Sequence, residues 1–429
     1  MRVLWICNQC VPQIAEELNI PSSNKEGWIA GLYEALRSEE ERFTLGIAFP
    51  YAEDKNYLPQ GIRVYGFVEN TEHPEHYDER TTERIRAIID DFRPDIVHVF
   101  GTEYGHTLSA AKALNCPSKL LIGFQGVCSA LSEAYLTGVD EKWIHRATLR
   151  DRLKDDNLIR QKEKFAKRAE HEKEALQLAG YVTGRTKLDR EYAKRLNPEA
   201  EYLSMNETMR KPFYEGQWDS QKFVKHSVFV SQCDYPIKGF HILIKALSIL
   251  KEEYSDISVR VAGNTITGEG GLKKRILIST YGKYLRHLLK QTGTDGMVRF
   301  LGKCTAEEMK KEYLSCAVFV LPSVMENSPN CLGEAMLLGV PCVASNVGGV
   351  SDILAPEQNG ILYDGNNPVK LAEAIKEMFR MTDEKDERLY GMLERSRTDA
   401  AVRHDGNLNC KTLMSVYETI MQKQETASE

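Results

Sequence analysis

At 429 residues, with 42% hydrophobic and 28% charged positions and a formal net charge of -6, the chain exceeds what one hydrophobic core organises. This composition excludes collagen-like and disordered classes, and no apolar run approaches the ~18–20 residues of a bilayer crossing. The acidic balance leaves no global basic field to hold nucleic acid.

The chain opens on Met1-Arg2-Val3-Leu4-Trp5-Ile6, which reads as a strand. A signal peptide would need a longer apolar region and a small-residue cleavage site, so a cytoplasmic protein starting at its first structural element is expected. Cys7-Asn8-Gln9-Cys10 has redox spacing without a second pair for zinc and reads as chance spacing at a strand end. The ten cysteines are scattered, and Cys7, Cys316 and Cys342 lie in apolar runs, as reduced core cysteines do.

Short β-rich runs alternate with helical stretches along the chain. Strands are expected over 3–7, 44–48, 62–67, 96–100 and 120–124, then over 227–230, 257–262, 298–301, 318–321 and 341–344. Near-continuous apolar runs mark strands buried on both faces of a parallel sheet, and their alternation with helices is the βαβ signal. Residues 143–178 depart from that rhythm. They are helical and charged, with Arg146, Arg150, Lys154, Lys164 and Arg168 among interspersed acids. A solvated helical face is the simpler reading; the sharper one is an arm resting on anionic lipid headgroups or holding an anionic acceptor.

Residues 206–216 break both periodicities, and the pattern restarts near Val224. The expected organisation is a first domain over 1–207 (carrying the charged arm), a linker over 208–222 and a second domain over 223–402. A tail over 403–429 then supplies a last helix that can pack back on the first domain.

The most informative stretch runs from Val324 to Pro341, directly after the strand at 318–321. Ser328 suits an N-cap, Pro329 the first helical position, Gly339 the C′ position, and Pro341 stops continuation. A helix starting at the carboxyl end of a strand stands where open α/β sheets bind ligands. The amides of Asn330, Cys331 and Leu332 would hold an anion such as a diphosphate. Glu334, one turn on and ~6 Å along the axis, could accept both hydroxyls of a ribose. Glu326, before the helix, would reach past the phosphates toward a sugar.

Glu326 and Glu334 resemble the E-x7-E pair of retaining GT-B glycosyltransferases of family 4. Gly348-Gly349-Val350-Ser351-Asp352, Asn359-Gly360, Val261-Ala262-Gly263-Asn264 and Arg299-Phe300-Leu301-Gly302 are similar to that family's donor domain. Pro236-Ile237-Lys238-Gly239-Phe240 resembles its Lys-Gly turn, whose lysine neutralises donor phosphates. The place of the family's usual arginine, six residues earlier, holds Gln232. In the first half, Gly27-Trp28 stands where the family sets a glycine amide against the diphosphate. Gly101-Thr102-Glu103, Phe124-Gln125-Gly126-Val127, Gly184-Arg185-Thr186 and Asn206-Glu207-Thr208 look like bacterial members that build capsular or other surface polysaccharides. Many relatives carry a histidine where Gln125 stands; His106 lies nearby.

The resemblance implies an α/β fold of GT-B type, two Rossmann-like domains with parallel sheets facing across a cleft. It implies retaining transfer from a nucleotide-sugar, UDP-linked above others, to a saccharide or lipid-linked saccharide at the inner membrane face. Glu326, Lys238 and Gln125 would be catalytic. Gly27, Gln232, Gly263, Asn264, Gly302, Ser328, Asn330, Cys331, Leu332 and Glu334 would join Lys238 around the donor, with Glu103, His106, Gln125 and Arg185 on the acceptor side. No D-x-D occurs in the chain, so neither a metal nor a cofactor beyond the nucleotide-sugar is expected. The rival readings are an isomerase akin to nucleotide-sugar 2-epimerases, which lack the two-glutamate helix, and a catalytically weak partner protein, supported by Gln232. A dehydrogenase is disfavoured because no G-x-G-x-x-G follows the first strand.

Overall fold

The computed structural model describes residues 1–20, 27–37, 43–268 and 276–426. It divides into two compact units, each assembled from separate stretches of chain. Unit 1 holds Met1–Ser129, Lys164–Arg210 and Arg403–Glu429; unit 2 holds Ala130–Glu163 and Lys211–Val402.

Unit 1 contains β1 (Arg2–Ile6), β2 (Thr44–Tyr51), β3 (Lys55–Tyr57), β4 (Arg63–Val68), β5 (Ile96–Phe100), β6 (Leu120–Gly123), β7 (Tyr181–Gly184) and β8 (Glu201–Ser204). They form one sheet in the order β3-β4-β2-β1-β5-β6-β7-β8, parallel except where β3 pairs antiparallel with β4. The central β1 and β5 are buried almost throughout, as their continuous apolar sequences require. The edge strands β3 and β8 keep exposed or half-exposed side chains and so carry no apolar run. That is why the apolar pattern did not announce them.

The helix Gly406–Thr426 belongs to unit 1. Its Tyr417 hydroxyl accepts from Trp5 Nε1 at 2.8 Å and lies 2.9 Å from His98 Nδ1, all three side chains being buried. Burial pushes the His98 pKa down to about 3, so the ring is neutral and shares a hydrogen bond with the tyrosine hydroxyl through Nδ1.

Unit 2 contains β9 (Ser227–Val230), β10 (Ser258–Ala262), β11 (Val298–Gly302), β12 (Val318–Leu321), β13 (Cys342–Asn346) and β14 (Ile361–Asp364). Their order is β11-β10-β9-β12-β13-β14, and every pairing is parallel. Residues 130–163 group here because Asp151 accepts from the Thr280 amide (2.9 Å) and hydroxyl (2.5 Å), while Lys245 pairs with Asp140 at 2.8 Å. The charged stretch is helical, as expected, and consists of three helices: Glu141–Ile144, Leu149–Lys154 and Leu158–Gln177. A Thr148–Asp151 capping box starts the second, and Asp155 in the left-handed region ends it.

In each sheet the strand order reverses beside the first strand, between β1 and β5 in unit 1 and between β9 and β12 in unit 2. Loops leaving two such neighbouring strands diverge and open a crevice at their carboxyl ends. None of the ten cysteines forms a disulfide. Among the described residues no helix is long and apolar enough to cross a membrane.

Candidate functional site

At the unit 2 reversal, the loop after β9 carries Lys238 and the loop after β12 carries Glu326. Two glycines, Gly239 after β9 and Gly348 after β13, let their loops close on the loop after β12. Gly239 has φ +63°, and a Cβ there would lie 1.7 Å from the Pro322 carbonyl oxygen. Gly348 has φ +54°, and its Cβ would lie 2.0 Å from the Glu326 carbonyl oxygen, which accepts from the Gly349 amide at 3.0 Å. A side chain at either position would push the loops apart.

The result is a partly buried ion pair, Lys238 Nζ to Glu326 Oε1 at 2.7 Å, with Ser323 Oγ donating to the same oxygen at 2.7 Å. Burial works against the Lys238 ammonium, but the Glu326 carboxylate and the Tyr235 and Cys331 side chains outweigh it and hold its pKa above the ordinary value. Lys238 is therefore a permanently charged, fixed cation.

The helix after Glu326 begins one residue later than the sequence predicts. It spans Asn330–Leu337, with Pro329 rather than Ser328 at the N-cap and no side chain capping it. The Pro329 carbonyl accepts from Leu332 (3.0 Å) and Gly333 (3.4 Å), which sets the start of the helix. The Leu332 amide is thus occupied, a correction to its expected role. The amides of Asn330 and Cys331 have no acceptor among the described residues, so the first turn presents two open donors. Gly339 follows the helix at φ +67°, the expected C′ conformation. Glu334 is buried one turn beyond the helix start, 3.5 Å from the Tyr313 hydroxyl, which donates to the Cys331 carbonyl at 2.9 Å.

Gln232 is half-buried after β9, close beneath Gly263. Asp234 accepts from the Asn264 backbone (3.1 Å) and side-chain (2.6 Å) amides, and Gly263 donates to the Gly302 carbonyl at 2.9 Å. Gln232, Gly263, Asn264 and Gly302 therefore converge on one end of the sheet. Ser323, Tyr313 and Asp234 were missed in the sequence; Ser323 had a signal, three residues before Glu326 at a strand end.

At the unit 1 reversal, Asn8 follows β1, Glu103 follows β5, Gln125 follows β6 and Arg185 follows β7. A Cβ on Gly101 would stand 2.6 Å from Glu103 Oε2, 2.9 Å from Asn8 Nδ2 and 3.4 Å from Gln125 Cγ, so these side chains crowd one point. Burial raises the Glu103 carboxyl pKa against the pull of Arg168. His106 is fully buried, with Nδ1 2.6 Å from Glu69 and Nε2 3.1 Å from the Asn8 side-chain oxygen, so it braces Asn8.

Gln125 Nε2 donates to Glu207 Oε1 at 2.7 Å, and Arg185 pairs with Glu207 Oε2 at 2.5 Å. Glu172 is the buried carboxyl beneath this group. It accepts from the Thr102 hydroxyl (2.5 Å) and the Cys128 amide (3.2 Å), and burial raises its pKa to about 7. Gly27 opens the helix Gly27–Leu36, where a Cβ would lie 2.2 Å from the Arg210 side chain. Glu172 and Arg210 carried no sequence signal as site residues, while Glu207 stood in the Asn206-Glu207-Thr208 motif without an assigned role.

Residues 214–391 match the family Glycosyl transferases group 1. Lys238, Glu326 and Glu334 fall inside that match. The chain is 29% identical over 184 residues to the D-inositol 3-phosphate glycosyltransferase of Corynebacterium urealyticum, covering 43% of this chain and 41% of the relative. The chain thus spans less than half the length of that curated relative. In structure it resembles the sucrose-phosphate synthase of Thermosynechococcus elongatus, with TM-score 0.68, 13% identity and coverage of 99% and 100% of the two chains. It also resembles Anabaena Alr3699/HepE in complex with UDP-glucose, with TM-score 0.64, 15% identity and coverage of 98% and 100%. These likenesses show the fold, GT-B, with two Rossmann-like units.

Proposed function

We propose that this chain is a retaining glycosyltransferase that moves a sugar from a UDP-sugar to a hydroxyl of a saccharide or lipid-linked saccharide, without a metal ion. The observation that carries this reading is the unit 2 reversal, where a fixed cation, two open amides and two glutamates meet within the group 1 match. A nucleoside diphosphate fits that chemistry. Its phosphates would take the amides of Asn330 and Cys331 and compete with Glu326 for Lys238. Glu326, released from the ion pair, would then accept from a hydroxyl of the donor sugar, while Glu334 accepts from the ribose.

As the bond from the anomeric carbon to the diphosphate oxygen breaks, negative charge gathers on the leaving phosphate, and Lys238 stabilises it. The acceptor oxygen forms its bond on the same face and gives its proton to a leaving phosphate oxygen. Unit 2 holds the donor, and unit 1 takes the acceptor. A neighbouring fold bound to UDP-glucose supports uridine, and the resemblance of the first-half motifs supports an acceptor from surface polysaccharide synthesis.

The test is binding and turnover of UDP-, GDP- and ADP-sugars in EDTA, comparing wild type with Lys238→Ala and Glu334→Ala. The expected outcome is one donor bound without metal, with Lys238→Ala lowering turnover about 10²–10³-fold, the effect of removing a fixed charge-stabilising group. Donor binding unaffected by either substitution sinks the assignment. Tight binding with no sugar release in wild type favours the partner-protein reading that Gln232 supports.

A further inference from the structure

The acceptor-side arginine of unit 1 is already neutralised. Arg185 and Glu207 are both buried, their side chains 4% and 3% exposed, and they form an ion pair. The other end of the guanidinium is spent on backbone: Nη2 donates to the Gln125 carbonyl at 2.9 Å and the Phe124 carbonyl at 3.2 Å. Glu207 is held in turn, its second oxygen accepting from Gln125 and its carbonyl oxygen from His404 Nδ1 at 2.7 Å. Arg403 caps the arrangement by donating to the Arg185 carbonyl at 3.0 Å.

The neighbours reinforce the charge balance. Glu103 is near enough to act on Arg185 electrostatically, and the buried Glu172 acts on Glu103. Arg168 spends its Nε on the Glu103 carbonyl at 2.7 Å, and Lys164 pairs with Glu75 at 3.4 Å. A phosphate brought to Arg185 would have to displace a buried carboxylate and would meet the negative charge of Glu103 as well. A neutral hydroxyl meets carboxylate acceptors instead.

We propose that unit 1 selects an acceptor presenting uncharged hydroxyls over one presenting a phosphate at this point, and that Glu207 is the residue setting that choice. This rests on the transferase reading above, with unit 1 as the acceptor side. Glu207 acts through Arg185 and Gln125, so it is a positioning residue.

The experiment uses the full chain with its donor sugar and measures UDP release with two matched pairs, glucose with glucose 6-phosphate and myo-inositol with its 1-phosphate. Wild type should favour the neutral member at least tenfold in kcat/KM. Glu207→Gln, which removes the charge and keeps an acceptor, should shrink that preference at least tenfold. Glu207→Asp should keep it. Calorimetry with inorganic phosphate, which needs no turnover, should show one more equivalent bound by Glu207→Gln than by wild type. A phosphorylated member preferred by wild type overturns the proposal, as does equal phosphate binding by wild type and Glu207→Gln. A chain that turns over no donor fails the transferase reading alone, because the phosphate comparison still decides this one.

Discussion

The two strand reversals share a topology and differ in how they are held. In unit 2 the site is set by backbone contact. Gly239 and Gly348 let the loops after β9 and β13 approach the loop after β12 to within a Cβ, and Lys238 and Glu326 meet as a consequence. In unit 1 the corresponding point is set by side chains drawn from Asn8, Glu103, Gln125, Arg185 and Glu207, tied by hydrogen bonds across long stretches of chain. The first arrangement presents a cation and open amides; the second presents carboxylates with their cations spent. That difference is the basis for proposing an anion at the first crevice and neutral hydroxyls at the second.

If backbone approach is what holds the unit 2 site, Gly239→Ala should be the costliest change. It combines a left-handed φ with a clash against the Pro322 carbonyl, and chemical denaturation should show a loss of about 3 kcal/mol or more. A loss under about 1 kcal/mol would mean that the loops are free to separate and that the contrast with unit 1 is overstated.

If side-chain chemistry holds unit 1, its stability should depend on pH through Glu172. The folded pKa of about 7 lies above the ordinary 4.5, so the folded state binds more protons than the unfolded state between these values. Stability must then fall as pH rises from about 4.5 to 7, by up to about 3 kcal/mol. Glu172→Gln should flatten that slope, as read from denaturation midpoints across the range. An unchanged slope would assign the pH dependence elsewhere.

The smallest effect sharpens the picture inside unit 2. Ser323→Ala removes one hydrogen bond to the Glu326 carboxylate and leaves Lys238 in place, so a loss of about 1.5 kcal/mol is expected from thermal or chemical unfolding. A loss as large as that of Gly239→Ala would show the ion pair to depend on Ser323 rather than on the backbone.

The central strands, the Lys-Gly turn, the two-glutamate helix and its closing Gly339 were legible because each is local: apolar continuity, a cap, a spacing of seven. Where local rules competed, the reading slipped by one residue, as at Ser328 and Pro329. There the Pro329 carbonyl rather than a serine hydroxyl receives the first amides. The edge strands β3 and β8 escaped because half-exposed strands need no apolar run.

The amino-acid order by itself determined the alternating α/β architecture and the donor-side motif, since both follow from periodicities of a few residues. Only the tertiary structure decided that residues 130–163 pack with unit 2, that Tyr417 joins Trp5 and His98, and that Glu207 neutralises Arg185. Those pairings join residues up to hundreds of positions apart, and buried polar groups choose such partners by satisfying one another in space, which no spacing along the chain records.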